Sequence, residues 1–135
     1  MNIDFFNNYK IGIDFIDKEH RDLFLICDEA VKNITYKEKS LELIIKFNKL
    51  IIDHFKNEEK YMEDIEYPYI KYHKEAHSII LIKLDNLINK EFNLEYNKTR
   101  QEYLIKTFDD TLLKHTDHFD RQIIDFLNSK MIKGN

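Results

Sequence analysis

Turn-forming residues are nearly missing from this chain. It has two glycines and one proline in 135 residues, too few for the frequent reversals of a sandwich or barrel, so long helices with few breaks are expected. Cys27 is the only cysteine, which excludes an internal disulfide and fits a reducing compartment. Tryptophan is absent. No basic block stands out against a net charge of −4, so nucleic acid is not an expected partner. The longest apolar runs, such as Ile79–Ile82, are too short to span a bilayer. The opening residues lack the basic start and apolar stretch of a signal peptide. These absences point to a cytoplasmic protein with no membrane contact. Hydrophobic residues at 43% are enough for one buried core, and the length suits one domain, 1–135.

What is present is apolar periodicity in steps of three and four. Residues 1 to about 16 carry Phe5, Phe6, Tyr9, Ile11, Ile13 and Phe15 without helical period, and are expected to form an ordered N-terminal arm that bends at Gly12. A first helix is predicted over about 17–34, capped by Asp17, with the stripe His20, Leu23, Phe24, Cys27, Val31, Ile34. A second, over about 40–65, has the stripe Ile44, Phe47, Ile51, His54, Phe55, Glu58, Met62, Ile65. A third, over about 68–89, opens on Pro68 and carries Ile70, His73, His77, Ile80, Leu84. A fourth, over about 98–128, with Asn97 a candidate cap and a frayed tail beyond, carries Leu104, Phe108, Leu112, His115, Phe119, Ile123, Phe126. Short connections between such helices give an all-α, up-down-up-down antiparallel four-helix bundle with an N-terminal arm.

The stripes are not purely apolar. Five of the six histidines fall on them, at least one per helix: His20, His54, His73, His77 and His115. One buried histidine is ordinary. Five together would need two hydrogen-bond partners each in a region otherwise made of Leu, Ile and Phe. Metal ions satisfy one nitrogen of each, and imidazole suits Zn, Cu, Fe and Ni. Glu58 follows His54 by one turn, on the same face. Asp120 follows His115 by five residues, which in an α-helix is about 140° off its direction. Either the two side chains swing inward from both flanks, or a local π-type turn realigns them. Seven donors are too many for one tetrahedral zinc. They suit two ions bridged by carboxylates, with one coordination position open. Cys27, inside an apolar stripe, reads as a buried and inert thiol. His118, off the stripe, reads as surface, and Asp17, Asp53, Glu59, Asp117, Tyr61, Tyr67 and Tyr72 read as surface or packing residues.

Four segments carry a resemblance: D-x-x-H-x-x-L-F from Asp17 to Phe24, H-F-x-x-E-E from His54 to Glu59, Y-P-x-x-x-x-H-x-x-x-H from Tyr67 to His77, and H-x-x-x-x-D from His115 to Asp120. In this order and at these spacings the chain resembles the hemerythrins, most of all the bacterial single-domain members. The resemblance implies two iron ions and no haem. His73, His77 and His115 would hold one iron, and His20 and His54 the other. Glu58 and Asp120 would bridge them, together with an oxo or hydroxo group. It further implies reversible O2 binding at the iron with fewer histidines, for storage, transport or delivery, under a pocket lined by Leu23, Phe55 and Leu112. Thr116 stands where the family commonly has isoleucine, and if its hydroxyl reaches the pocket, faster autoxidation is expected. Phe5 or Phe6 would take the place of the family's N-terminal tryptophan.

The expected activity is therefore binding rather than catalysis, with no catalytic residues assigned. Partners are O2 and an unidentified recipient protein, in a monomer or small homo-oligomer. The alternatives are a sensor of O2, redox state or nitric oxide, and a di-iron reductase of peroxide or nitric oxide. Ferritin-like oxidases use E-x-x-H pairs, and this chain has none. Its HKEAH at 73–77 puts the glutamate one place late for a zinc protease.

Overall fold

The computed structural model describes the backbone of residues 9–93 and 98–133 and the side chains of residues 9–89 and 101–130. Phe5, Phe6 and Asn97 lie outside the described residues. Four helical rods are present: α1 (Asp14–Lys32), α2 (Lys37–Asp64), α3 (Ile70–Asn93), and a fourth rod built of α4 (Lys98–Phe108), two π-helical stretches (Asp109–Lys114 and Thr116–Asp120) and α5 (Arg121–Lys133). No strand occurs among the described residues. Successive rods pack side by side, and the fourth closes the ring against α1 and α3, which makes the four-helix bundle. Among the described residues, no helix is long and apolar enough to cross a membrane.

Several boundaries differ from the sequence reading, each for a local reason. Helix α1 begins at Asp14, and Asp17 is not its cap. Instead the Asp17 carboxylate reaches backward and accepts hydrogen bonds from the backbone N–H groups of Ile11 and Gly12 at 2.9 and 3.0 Å. Gly12 has φ +93°, a conformation open to glycine and costly for other residues. The arm is thus bent over the start of the helix, which seats Ile11 and Ile13 in the core. Pro68 is not in the first turn of α3. It stands two residues ahead of Ile70, in a turn where Glu66 has φ +56° and the Tyr67 N–H donates to the Met62 carbonyl. α3 continues to Asn93 and α5 to Lys133, past the ends expected at about 89 and 128.

The buried stripes divide into two apolar clusters. The larger holds Leu23, Phe24, Cys27, Phe47, Ile51, Phe55, Ile80, Leu84, Phe108 and Leu112 among others. The smaller holds Ile11, Ile13, Ile16, Met62, Tyr67 and Ile123. On every rod, the residues between the two clusters are the polar ones of the stripe: His20 on α1, His54 and Glu58 on α2, His73 and His77 on α3, His115 and Asp120 on the fourth rod. A layer of donor atoms therefore crosses the bundle, closed off by hydrocarbon above and below. Cys27 lies in the larger cluster, and burial pushes its thiol well above the ordinary value, so it stays protonated and inert.

Candidate metal centre

All seven polar stripe residues are at most 5% exposed. Their contacts put five imidazole Nε2 atoms and two carboxylates around one small volume. His20 Nε2 and His54 Nε2 are 3.1 Å apart, and His73 Nε2 and His115 Nε2 are 3.2 Å apart. Glu58 has Oε1 at 2.7 Å from His73 Nε2 and 3.0 Å from His77 Nε2, while its Oε2 is 3.2 Å from His54 Nε2. Asp120 has Oδ1 at 3.0 and 3.2 Å from the Nε2 atoms of His73 and His115, and Oδ2 at 3.1 Å from His20 Nε2. The donors form two overlapping sets: Glu58, His73, His77, His115 and Asp120 in one, and His20, His54, Glu58 and Asp120 in the other. Each carboxylate belongs to both sets, one oxygen facing each side.

The position of Asp120 answers the spacing problem on the fourth rod. The π-helical stretch Thr116–Asp120 closes hydrogen bonds over one residue more than an α-turn, and so returns residues five apart to one side of the helix. His115 and Asp120 both enter the donor layer from it. A second π stretch, Asp109–Lys114, directly precedes His115; nothing in the amino-acid pattern marked it.

Proximity here does not amount to satisfaction. Glu58 Oε2 and both oxygens of Asp120 are fully buried and have no hydrogen-bond partner among the described residues, although imidazole nitrogens lie about 3 Å away. Five ring nitrogens turned toward one another are likewise a poor hydrogen-bonding arrangement. Burying charged oxygens in this way costs several kcal/mol each unless a cation compensates. The donor set therefore fits metal ions, and its nitrogen and oxygen chemistry fits borderline first-row metals such as iron.

In the metal-free chain, protons are the only cations at hand. Burial opposes a charge on His54, but Glu58, Glu19 and Asp120 outweigh it and hold the imidazole up at about 10. Burial opposes a charge on His73 as well, and Asp120 and Glu58 raise it to about 9. Burial and Asp120 work against ionising Glu58, yet His54 and His73 keep it well below the usual carboxylate range. Asp120 is held low in the same way, against its burial, by His115, His20 and His73. These are two anions surrounded by cationic partners, and a pair of metal ions can replace the protons.

Two of the outer ring nitrogens are also organised, while Nδ1 of His20 and of His73 is buried with no hydrogen-bond partner among the described residues. His54 Nδ1 donates to Glu19 Oε1 at 2.8 Å, and Asn57 holds the other Glu19 oxygen at 2.8 Å. His77 Nδ1 donates to Glu59 Oε2 at 2.8 Å, and its ring is stacked on Phe55 with centroids 3.7 Å apart. With Nδ1 protonated, Nε2 keeps its lone pair for the centre, and the ring cannot rotate. Glu59 is thus more than the surface or packing residue its sequence position suggested. Glu19 and Asn57 gave no signal at all, since Glu19 reaches His54 from another helix, 35 residues away. His118 is exposed, as expected.

Leu23, Phe55, Leu112 and Thr116 are all buried. Phe55 touches the rings of His54, His77 and His115. Leu23 lines a cavity of about 150 Å³ beside His54, shared with Leu50, Glu19, Asp22, Asp53 and Lys18. On the opposite flank a cavity of about 180 Å³ reaches His73 between Tyr67, Tyr69, Tyr72, His118, Phe119 and Gln122. Burial, with Tyr69 and Asp120 nearby, pushes the Tyr67 phenol up to about 12.

Comparison with known proteins agrees with this centre. Residues 11–127 match the family model described as the hemerythrin HHE cation binding domain. A bacteriohemerythrin of Clostridium acetobutylicum is 33% identical over 126 residues, covering 88% of this chain and 96% of the relative. A bacteriohemerythrin of Campylobacter jejuni is 30% identical over 127 residues, covering 89% and 91%. No solved structure gives a significant match.

Proposed function

The chain belongs to the hemerythrin family, and on that premise we propose that it binds O2 reversibly at a non-haem di-iron centre, for storage, transport or delivery. His73, His77 and His115 would hold one iron, His20 and His54 would hold the other, and Glu58 and Asp120 would belong to both. The observation that carries this reading is the sharing of Glu58 and Asp120 between two donor sets, one with three imidazoles and one with two. When bound, the irons would supply the electrons with which O2 is held.

The protein's own residues then do three things. Glu19 and Glu59 fix the tautomer and direction of His54 and His77. Leu23, Phe55 and Leu112 exclude water from the region around the donors, which favours release of O2 over its loss as a reduced species. Thr116 is the one hydroxyl among the residues assigned to that wall. The cavity beside Leu23 and His54 lies on the two-histidine side, where a diatomic ligand needs access.

The test is direct. Reduce the purified protein without air, count iron per chain, admit O2 and follow the visible spectrum. Two irons and a charge-transfer band that disappears on evacuation support O2 binding. Immediate, irreversible oxidation favours a sensor or a reductase. One metal per chain, or zinc, overturns the ligand assignment.

A further inference from the structure

Two tyrosines lead from the donor layer to the surface. The Tyr67 ring is 3% exposed and lies edge-on to His73, with centroids 6.5 Å apart. Tyr69 is 56% exposed, and its ring meets Tyr67 edge-on at 5.9 Å. Phe126 packs against Tyr67 at 5.5 Å and closes its far side. The backbone is shaped to this end. Glu66 takes a left-handed conformation that few non-glycine residues adopt, and Tyr67 is anchored through its N–H to Met62. The turn thereby points one tyrosine inward and the next but one outward. His73 also touches Phe119, but a phenyl ring is far harder to oxidise than a phenol. Among the described residues, Tyr67 is the one oxidisable aromatic ring in contact with a candidate ligand. The cavity of about 180 Å³ that the three tyrosines share with His73 gives a released proton a way to solvent.

We infer that Tyr67 and Tyr69 form an electron route from the surface to the di-iron centre, used when a peroxide reacts there. The inference rests on the di-iron reading. Reducing a peroxide to two molecules of water takes two electrons and two protons. A centre with only one reduced iron supplies one electron. The second comes from the Tyr67 phenol, which releases its proton through the cavity and becomes a phenoxyl radical, while the two protons that the peroxide takes up come from solvent. Tyr69 then passes an electron together with a proton to Tyr67, and carries the radical at the surface. There a thiol gives up its hydrogen atom and restores the phenol. The oxidising equivalent leaves as a thiyl radical, and the histidine ligands are spared.

The experiment uses the full chain loaded with iron, reduced by one electron per centre, mixed with hydrogen peroxide and frozen at intervals for electron paramagnetic resonance. Iron content is measured on the same samples. A tyrosyl signal is expected in the unsubstituted protein. Tyr67→Phe should lose it. Tyr69→Phe, a surface change that spares the fold, should make it last longer by blocking its escape. Tyr72→Phe, on the same cavity but with no ring contact to Tyr67, should change neither yield nor lifetime. Full yield in Tyr67→Phe, an unchanged lifetime in Tyr69→Phe, or the same signal from zinc-loaded protein overturns the route. Two irons per chain with no tyrosyl signal overturns the route alone. A chain that takes up no iron overturns both the route and the di-iron reading.

Discussion

At the scale of single residues, the candidate centre depends on groups that are not among its donors. Glu19 is partly exposed, yet it fixes the ring of His54 at 2.8 Å. Replacing it with glutamine keeps the shape and weakens the acceptor. Loss of such an outer partner typically lowers metal affinity about 10–100-fold, so Glu19→Gln should give up one of its two irons to a chromophoric chelator well before the other. Simultaneous loss of both, or no change, would contradict the assigned role. Thr116 offers a second check. It is 2% exposed, and Thr116→Ile should slow autoxidation of the oxygenated protein, followed as decay of its visible band. An unchanged rate would place the hydroxyl outside the pocket. That the seven polar residues come together in the core was legible in the sequence because polar residues in apolar stripes are conspicuous: a glutamate at position 58, in register with Phe47, Ile51 and Met62, is costly to bury without compensation. Glu19 and Asn57 were not legible. Their partner is on a neighbouring helix, and from one helix alone a half-exposed carboxylate looks like any solvated flank.

At the scale of elements, the helices followed from the periodicity and their ends did not. Asp17 has the side chain of a cap but spends it on the arm behind it, a choice set by how Ile11 and Ile13 pack. The spacing from His115 to Asp120 required a departure from α geometry, and one of the two departures open to it is what formed. The π stretch carries one residue more than an α-turn needs. Deleting the exposed His118 should therefore convert it to α-helix while Ile123 stays inward, and the protein should still melt cooperatively by circular dichroism. Deleting Lys56, equally exposed but inside regular α2, turns everything beyond it by about 100°. That variant should fail to fold or to bind metal. If both deletions behave alike, the π stretch is not absorbing a residue.

At the scale of the whole molecule, the donor layer divides the core in two. The two apolar clusters hold each end of the bundle, and the layer between them is stable only when its charges are compensated. A ligand that binds the native chain and not the unfolded one stabilises the native state by mass action, and here the candidate donors sit where the apolar core is interrupted. Removing iron with a chelator should lower the thermal midpoint by roughly 10 °C or more, read by circular dichroism on the same sample before and after. An apo protein of unchanged midpoint would mean that the two clusters hold the fold alone.

The sharing of Glu58 and Asp120 between two donor sets also has a consequence in time. His20 and Asp120 are 3.1 Å apart in space and a hundred positions apart in the chain. Asp120 belongs to both sets, so neither is complete until the fourth rod has left the ribosome. At about 5–20 residues per second, the earlier histidines wait several seconds with no bridging partner. On the di-iron reading, iron capture then follows synthesis of the fourth rod, and a nascent chain stalled before that rod should carry none.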